Sequence, residues 1–419
     1  MAPVFKIIPT TQQYDWGKIG RDSKVAQLAP SDVSIDEDAP YAELWMGTHV
    51  KSPSTVQATS QPLSEALAAH PELLGESVTE KFRGAYGTDK GNLPFLFKVL
   101  SIHKALSIQT HPDEPTAKEL HRTQGDIYKD PNHKPEMALA LTPFLALCGF
   151  MPLPNIASNI TSTPEVAALI PPSTLSAFQA IASSSTPSGP TEKQALKDVF
   201  SAVMTASDSV VQDQLGKLIA RYEAQDLNAG EKAEIVDLVL RLNTQFPGDI
   251  GIFCAFLLNQ IKLQPGEAIF LGAGEPHAYV EGDIMECMAN SDNVIRAGLT
   301  PKLRDIPNLV AGLTYTAAPP DKHFVRPTPF GGSSTSSTLY DPPIPEFSVV
   351  QLALGGGKSE SHRGVGGPSI AIATDGQGSV KWGGGSEDVQ AGDVFFIGAG
   401  AAVTFEAIED LVVYRAFTE

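Results

Sequence analysis

The sequence predicts a mainly β protein with an all-α insertion, and three observations support this fold class. Up to about Leu153, short apolar runs are broken by Gly, Pro, Asn and Asp, as in a sheet with many turns. From residue 155 to about 246, apolar residues recur at helical spacing. Strand-like patterns return at Ile250 and include an internal repeat.

The repeat is a sixteen-residue unit that occurs twice. Residues 264–279 align without gaps to residues 390–405, with six identities in sixteen positions. Each copy contains a turn, a short apolar strand and a second Gly turn, which is how a jelly-roll barrel doubles back. We therefore expect two cupin-like jelly-roll barrels. The ungapped alignment replaces His277 by Val403 and Glu286 by Val412, so the second barrel is predicted to carry no chemistry.

The middle segment predicts a helical subdomain over residues 155–249. Its helical apolar positions include Leu196, Val199, Phe200 and Val203, and Pro190 and Asp208 are plausible helix starts. A catalytic barrel is then predicted from residues 1–154 with 250–326, and a C-terminal barrel lacking metal ligands from residues 327–419. A Pro-, Gly- and Ser-rich stretch, residues 327–345, is interpreted as a linker.

Length and charge exclude several classes of function. The chain has 419 residues, enough for two or three domains. Its 30 Lys and Arg against 48 Asp and Glu give a net charge of −18, which argues against a nucleic-acid or anionic-membrane surface. An anionic ligand must therefore meet a local cluster of cations.

The chain has three cysteines, Cys148, Cys254 and Cys287, and they form no CxxC pair. Few, scattered cysteines are typical of proteins in a reducing compartment and argue against a disulfide framework. The N-terminus has no secretory apolar region, and the longest apolar stretch, residues 250–258, is too short to span a membrane. We expect a cytoplasmic protein and a monomer.

Two predicted strands carry candidate metal ligands. Strand alternation in residues 105–111 places Ser107, Gln109 and His111 on one face. In residues 132–141 it places Lys134 and Glu136 together with small alanines, which favours a packed interior over a wet surface.

A third segment, residues 274–279, places His277 and Tyr279 on one face. Because the second copy of the repeat has Val403 at the position of His277, the fold does not require histidine there. Gln109, His111, Glu136 and His277 make a ligand set of nitrogen and oxygen atoms with one negative charge. Such a set suits a Lewis-acidic divalent ion, with zinc first and manganese, iron or cobalt compatible with the same ligand types.

At these residues the chain resembles the type I phosphomannose isomerase family. Residues 128–136 (YKDPNHKPE) resemble one family signature, and residues 277–302 resemble another along their whole length. Residues 14–17 (YDWG), 43–49 (ELWMGTH) and 107–113 (SIQTHPD) are similar to further family blocks. The helical insertion resembles that of the eukaryotic, especially fungal, members.

The resemblance implies a zinc enzyme that interconverts mannose 6-phosphate and fructose 6-phosphate, and so supplies mannose 6-phosphate for GDP-mannose synthesis and glycosylation. It places the zinc ligands, one ion per chain, on the same four residues: Gln109, His111, Glu136 and His277. It places the catalytic arginine on Arg296.

Aldose–ketose isomerisation through a cis-enediol needs a base, stabilisation of the sugar oxygens and a site for phosphate. Arg296 can stabilise the enediolate. The candidates that bind substrate are Ser107, Lys98, Lys134, Tyr279 and Lys302. We expect Glu286 to be the base, because burial in an apolar stretch would raise its pKa; Tyr279, Lys134 and Asp292 are the alternatives.

A second class of protein also fits two barrels with a metal. Double-barrel metal proteins include dioxygenases and non-catalytic sugar-binding proteins. A dioxygenase would hold redox iron and need no phosphate site, and a non-catalytic barrel would not need Arg296 beside a metal. Metal analysis combined with an isomerase assay separates these possibilities.

Overall fold

The computed structural model describes residues 1–331 and 336–419. In chain order its strands are β1 (Val4–Ile8), β2 (Thr10–Gln12), β3 (Lys18–Ile19), β4 (Pro40–Tyr41), β5 (Glu43–Met46), β6 (Thr55–Val56), β7 (Phe95–Ile102), β8 (Ile108–Thr110), β9 (Glu136–Ala140), β10 (Phe144–Phe150), β11 (Leu258–Leu263), β12 (Ala268–Leu271), β13 (His277–Ala289), β14 (Ile295–Gly298), β15 (Thr328–Pro329), β16 (Ser337–Tyr340), β17 (Ser348–Leu354), β18 (Ser359–His362), β19 (Ser369–Asp375), β20 (Gln377–Trp382), β21 (Gly385–Gln390), β22 (Val394–Ile397), β23 (Val403–Ala407) and β24 (Leu411–Phe417).

The α-helices are α1 (Lys24–Gln27), α2 (Leu63–Ala69), α3 (Glu76–Tyr86), α4 (Glu114–Gln124), α5 (Leu153–Ser162), α6 (Pro164–Ala167), α7 (Pro172–Ile181), α8 (Pro190–Met204), α9 (Asp208–Glu223), α10 (Ala233–Gln245) and α11 (Ile306–Gly312). Short 3-10 helices lie at Gly20–Asp22, Pro71–Leu73, Thr88–Lys90, Ile250–Phe256 and Pro320–His323. The chain is therefore mainly β with a helical insertion, as predicted.

The first barrel is built around β13, the longest strand. This strand pairs antiparallel with β7, β8, β9 and β10, and β12 and β14 join the same sheet through β9 and β8. The ladder aligns Glu286 of β13 with Lys98 of β7 and with Ala138 of β9. Because side chains alternate across a strand, these pairings bring the polar residues of several strands to one interior face.

The second barrel combines an eight-stranded sheet with a four-stranded sheet of order β18-β23-β20-β21. The larger sheet has the order β15-β16-β17-β24-β19-β22-β1-β6, so the N-terminal strand β1 pairs with the C-terminal half of the chain. Two strands, β15 and β16, lie within the stretch interpreted as a linker, and residues 332–335 of that stretch lie outside the described residues. The domain boundaries given above remain a prediction.

The sequence repeat is a structural repeat. Strands β12 and β22 occupy equivalent positions of the two copies, and β13 and β23 both begin at the position of His277 and Val403. The turns also match, since Gly274 has φ +73° and its equivalent Gly400 has φ +75°. This left-handed region favours glycine, which explains why the turn glycines are kept in both copies.

One predicted equivalence within the repeat is wrong. In the first copy β13 runs without a break through Glu286, whereas in the second copy the chain leaves β23 at Ala407 and resumes pairing in β24 at Leu411. Glu286 pairs with Ala138, which pairs with Ile269 of β12. In the repeat, Phe395 of β22 is the equivalent of Ile269. Phe395 pairs with Ala371 of β19, and Ala371 pairs with Arg415 of β24. The ladder therefore matches Glu286 with Arg415 rather than with Val412.

The helical insertion contains helices α5 to α10. Helices α8 and α9 begin at Pro190 and Asp208, as predicted from the sequence. Their apolar positions pack against the outside of the first barrel, where Phe150 meets Phe200 edge-on with ring centroids 5.4 Å apart. A fully buried phenylalanine stabilises such a junction by about 1.5–3 kcal/mol.

Two helices of the N-terminal region, α3 and α4, are absent from the sequence prediction. Both are strongly polar, and α4 buries only Ala117 and Leu120. Asp113 caps α4 by accepting a hydrogen bond from the backbone of Thr116. With three buried residues in α3 and two in α4, the helical pattern of apolar residues is too weak to be recognised in the sequence.

The two barrels pack face to face through an apolar layer. This layer joins Phe95 and Met285 of the first barrel to Ile370 and Phe396 of the second. Each barrel also has its own buried interior. Of the helices described, none combines the length and apolar character that a membrane crossing requires.

Candidate metal centre and active site

Three buried side chains converge inside the first barrel. His111 follows β8, Glu136 begins β9 and His277 begins β13. Each offers one ligand atom, and these atoms lie within 4.8 Å of one another. At most 1% of each residue is exposed to solvent. The predicted strand faces therefore meet at one point.

The hydrogen bonds of the two histidines direct one nitrogen of each ring toward this point. Nδ1 of His111 lies 2.6 Å from the backbone carbonyl of Asn293, and Nδ1 of His277 lies 2.9 Å from that of Glu275. Since a carbonyl only accepts, each Nδ1 carries the proton and each Nε2 keeps a lone pair. Such carbonyl partners are typical of metal-bound histidines.

The atoms that face one another have no hydrogen-bond partner. Nε2 of both histidines and Oε2 of Glu136 are buried and unsatisfied. The two Nε2 atoms lie 3.3 and 3.4 Å from the carboxylate oxygens of Glu136. Burial lowers the pKa of His111 to about 4, so its ring is neutral at pH 7. Three lone pairs without partners in one buried space fit a divalent cation.

Gln109, the fourth predicted ligand, lies beside this cluster. It lies directly opposite His277 in the ladder and lines the cavity described below. Its amide makes no hydrogen bond to any residue within 1–331 or 336–419. The four residues predicted from the sequence as ligands are thus brought to one place, while their role as ligands remains a prediction.

A loop between β13 and β14 holds the carbonyl that orients His111. Asp130 accepts hydrogen bonds from the Ser291 hydroxyl at 2.7 Å and from the Asp292 backbone at 2.8 Å. The Asn293 amide donates to the carbonyls of Asp130 and Asn132. The segment YKDPNHKPE therefore contains the candidate ligand Glu136, and its Asp130 and Asn132 also hold the loop whose carbonyl orients His111.

A cavity of about 460 Å³ opens beside this centre. Gln109 and Glu136 line its floor, and Lys134 places Nζ 3.0 Å from Oε1 of Glu136. Although burial favours the neutral acid, Lys134 holds the pKa of Glu136 well below its usual range. All the predicted catalytic and substrate-binding residues line this cavity: Ser107, Lys98, Lys134, Tyr279, Glu286, Arg296 and Lys302.

One wall of the cavity carries a buried ion pair. Nζ of Lys98 lies 3.0 Å from Oε2 of Glu286 and 4.0 Å from Oε1 of Glu43. It also lies 4.9 Å from the ring centroid of Trp45, within reach of a cation–π interaction. Burial raises the pKa of Glu286, with the charge of Lys98 opposing the rise. Glu286 therefore has more basicity than an exposed glutamate.

The opposite wall carries cations without partners. Arg296 lies opposite Gln109 in the ladder and is half-buried. Its guanidinium makes no hydrogen bond or ion pair with any part of the chain that the structure describes, and the same holds for the exposed Lys302 ammonium and the Ser107 hydroxyl. Burial lowers the pKa of Arg296, yet an arginine stays protonated at neutral pH. Donors that are free and face a cavity can meet an anionic ligand.

The alternative bases differ in their electrostatics. A hydrogen bond from His49 and the nearby Lys51 hold the pKa of Asp292 well below its usual range, which makes this carboxylate a weak base. Burial and the charge of Glu286 raise the pKa of Tyr279 well above its usual value, so it keeps its proton at neutral pH. Lys134 is engaged with Glu136.

The structure adds cavity residues to which the sequence analysis gave no role. These are Tyr14, Trp16, Glu43, Trp45, His49 and Lys51. Each lies in or beside the blocks YDWG and ELWMGTH, so the signal was present in the sequence. The sequence did not indicate what these residues do. Glu43 and Trp45, for example, contact Lys98 only because β5 pairs with β7, and no local sequence pattern reveals that pairing.

Comparison with known families explains the arrangement. The model of the catalytic domain of type I phosphomannose isomerase matches residues 4–153, that of the family's helical insertion domain matches residues 169–258, and its C-terminal model matches residues 337–385. The chain belongs to the type I phosphomannose isomerase family. The resemblance stated from the sequence is thus confirmed.

Curated relatives span the whole chain. The mannose-6-phosphate isomerase of Cryptococcus neoformans var. neoformans serotype D is 51% identical over 438 residues, covering 100% of each chain. That of Saccharomyces cerevisiae is 45% identical over 432 residues, covering 99% of each. These relatives are fungal, in agreement with the predicted similarity.

Solved structures share the fold of the entire chain. The apo form of mannose 6-phosphate isomerase from Salmonella typhimurium matches with a TM-score of 0.82 and 31% identity, covering 100% of both chains. A zinc-bound form of mannose 6-phosphate isomerase matches with the same TM-score, identity and coverage. The double barrel with its helical insertion is therefore the fold of known isomerases.

Proposed function

We propose that this chain is a zinc-dependent aldose–ketose isomerase that interconverts mannose 6-phosphate and fructose 6-phosphate. The observation that supports it most is that one cavity has buried lone pairs of His111, Glu136 and His277 next to it and is lined by two cations, Arg296 and Lys302, that pair with no described residue. Membership in the type I family and the names of its relatives point to the same reaction.

Gln109, His111, Glu136 and His277 would hold one zinc ion per chain. When bound there, zinc would act as a Lewis acid on sugar oxygens. Zinc-bound relatives and the buried His–Glu–His cluster support this choice of metal. One carboxylate among neutral donors leaves net positive charge at the centre, which suits an oxyanion.

The charged residues of the cavity walls divide the remaining work. Glu286, whose pKa is raised by burial, takes the proton from C-2 of the open-chain sugar and returns it to C-1 of the cis-enediol, while the proton of the O-2 hydroxyl passes to O-1. Lys98, at 3.0 Å, stabilises the ionised form of Glu286 that is present before the first transfer and after the second. Arg296 donates hydrogen bonds to the oxygens that gain negative charge.

Lys302 and Ser107 bind the phosphate and sugar hydroxyls, with Lys134 and Tyr279 completing the contacts. Exposure of Lys302 at the mouth suits the phosphate end, which takes no part in bond making. The product mannose 6-phosphate would feed GDP-mannose synthesis and glycosylation. A cytoplasmic, monomeric enzyme is part of the same proposal.

Metal analysis and a coupled isomerase assay on the purified protein test the proposal together. We expect about one zinc per chain, and chelation should abolish turnover while the far-ultraviolet circular dichroism stays unchanged, because the barrel has a large core of its own. Stoichiometric redox iron with consumption of oxygen would support a dioxygenase instead. Full activity after chelation would exclude a catalytic metal.

A further inference from the structure

The second barrel carries a polar cluster at the position of the metal centre. The strand pairings of the two barrels correspond. In the first barrel Leu271 pairs with Glu136, and in the second its repeat equivalent Ile397 pairs with Ser369. Likewise His277 pairs with Gln109, and its equivalent Val403 pairs with His362. The pairings through Ala138 and Ala371 add a third correspondence, that of Glu286 with Arg415. With the first-barrel residue given first, the equivalent positions are Glu286 and Arg415, Glu136 and Ser369, Gln109 and His362, and His277 and Val403. Both carboxylates of the first barrel are thus replaced.

Arg415 is a buried cation without a carboxylate partner. Its relative exposure is 0%, and its Nη2 donates to the Ser369 hydroxyl at 2.9 Å. Its Nε and Nη1 have no hydrogen-bond partner, and it forms no ion pair with the residues that the structure describes. Arg363 and Glu419 form an ion pair of their own at 2.8 Å near the surface. Arg415 therefore keeps its full charge inside the barrel.

His362 faces the same interior. It is 1% exposed, and its Nε2 lies 2.9 Å from the Ser337 hydroxyl. The rings of Phe330 and Phe405 pack edge-on against it with centroids 5.1 and 5.3 Å away. Its Nδ1 is buried and has no partner. The carboxylate oxygen Oε1 of Glu360 lies 4.0 Å from Nε2. In the tautomer in which Nε2 accepts from Ser337, Nδ1 carries the proton and is a third unused donor.

A buried cation and buried donors without acceptors are costly, because both lose their hydration. The metal centre shows the same signature with opposite sign, namely buried lone pairs without a hydrogen-bond donor. We propose that the interior of the C-terminal barrel binds one small inorganic anion between Arg415 and His362. The guanidinium donates, as does the His362 ring in the tautomer described above, so the ligand is a halide or a single small oxyanion.

Thermal unfolding of the full-length enzyme in chloride, compared with gluconate at equal ionic strength, tests the proposal. A ligand that binds only the folded state raises the ratio of folded to unfolded protein about tenfold for each tenfold rise in its concentration above Kd. We expect chloride to raise the midpoint temperature and gluconate to leave it unchanged. Inorganic phosphate forms a second arm, since phosphate at the mouth of the active site would require Lys302 instead of Arg415.

The variant Arg415→Met removes the charge and keeps an apolar side chain of similar length. It should lose the dependence on chloride, whereas Arg363→Met, which alters an exposed arginine of the same barrel, should retain it. A dependence on chloride that persists in Arg415→Met would overturn the proposal, as would equal stability of the parent in chloride and gluconate.

Bromide soaked into crystals of the parent enzyme gives a test that needs no variant. We expect an anomalous peak within hydrogen-bond distance of Nε or Nη1 of Arg415 and of Nδ1 of His362. Density for water alone at this position, without an anomalous signal at saturating bromide, would show that solvent and not an anion satisfies the arginine.

Discussion

The two barrels share a strand-pairing pattern and differ in the chemistry of four equivalent interior positions. In the first, Gln109, Glu136 and His277 surround a space lined by lone pairs; in the second, His362, Ser369 and Val403 occupy the same ladder positions. The matched turns and strand starts show that neither set is needed to form a barrel. The difference teaches that the chemistry of this fold depends on a few interior residues, which can change without loss of the scaffold.

The most direct test replaces a candidate metal ligand of the first barrel by the residue at the equivalent position of the second barrel. His277→Val should abolish metal binding and lower turnover on the order of 1000-fold, because a Lewis acid supplies several kcal/mol of transition-state stabilisation. Metal content by mass spectrometry and the coupled assay measure both effects. The fold should survive, since Val403 occupies this position in the second barrel.

The matched control is Val403→Ala, which should lower stability and leave metal content and turnover unchanged. If His277→Val retained its zinc, the metal would have to be held by residues other than the buried cluster.

Glu286→Gln tests the base in the wall that faces Lys98. We expect turnover to fall several hundred-fold, within the range usual for loss of a general base, with metal content unchanged. Exchange of the C-2 hydrogen of bound sugar with solvent should stop. Continued exchange would transfer the role to another group. Glu281→Gln, on the same strand but paired with Arg241 outside the cavity, is the control.

The pH dependence of the parent enzyme sharpens the same test. Burial raises the pKa of Glu286, so the base becomes protonated, and inactive, at a higher pH than an exposed glutamate would. As pH falls, kcat should therefore decline through that raised pKa. This acidic limb should be absent from the residual activity of Glu286→Gln.

Arg296→Ala should lower kcat on the order of 100-fold and change KM less. The reason is that its free guanidinium interacts with charge that develops mainly in the transition state. Steady-state kinetics separate the two constants, and Arg304→Ala, which alters an arginine that does not line the cavity, is the control. A pure increase in KM would reassign Arg296 to substrate binding.

Lys302→Ala should raise KM about tenfold with a smaller change in kcat. The phosphate is equally charged in the ground and transition states, and a hydrogen bond between charged groups contributes about 1.5–3 kcal/mol, less where solvent screens it. The defect should shrink when mutant and parent are compared on unphosphorylated mannose. An equal defect on mannose would place Lys302 away from the phosphate.

Local sequence patterns predicted the strand faces well, and they missed what depends on pairing between distant strands. The alternation around Glu136 and the repeat around His277 identified interior residues, since a period of two is preserved along each strand. The environment of Lys98 could not be predicted from the sequence. Glu43, Trp45 and Glu286 lie near Lys98 only because strands β5, β7 and β13 pair with one another.

The equivalence of Glu286 with Val412 failed for a related reason. Three extra residues between β23 and β24 shift the face of the strand, and a shift by an odd number turns every side chain to the other side of a sheet. An ungapped alignment cannot register such an insertion. The sequence prediction that the second barrel carries no chemistry therefore does not take Arg415 into account.

The smallest expected effect lies far from both interiors. The Ser-rich segment 183–190 provides no residue to the cavity, and its Ser184 hydroxyl donates to Oε1 of Glu192 in the first turn of α8. Ser184→Ala should lower the free energy of unfolding by about 1 kcal/mol or less, as for loss of a capping hydrogen bond, and leave zinc content, kcat and KM unchanged. Chemical denaturation and metal analysis measure these quantities. Loss of zinc in this variant would show that the helical insertion supports the metal centre, and the contrast between the barrels would then depend on a subdomain that packs against the first barrel.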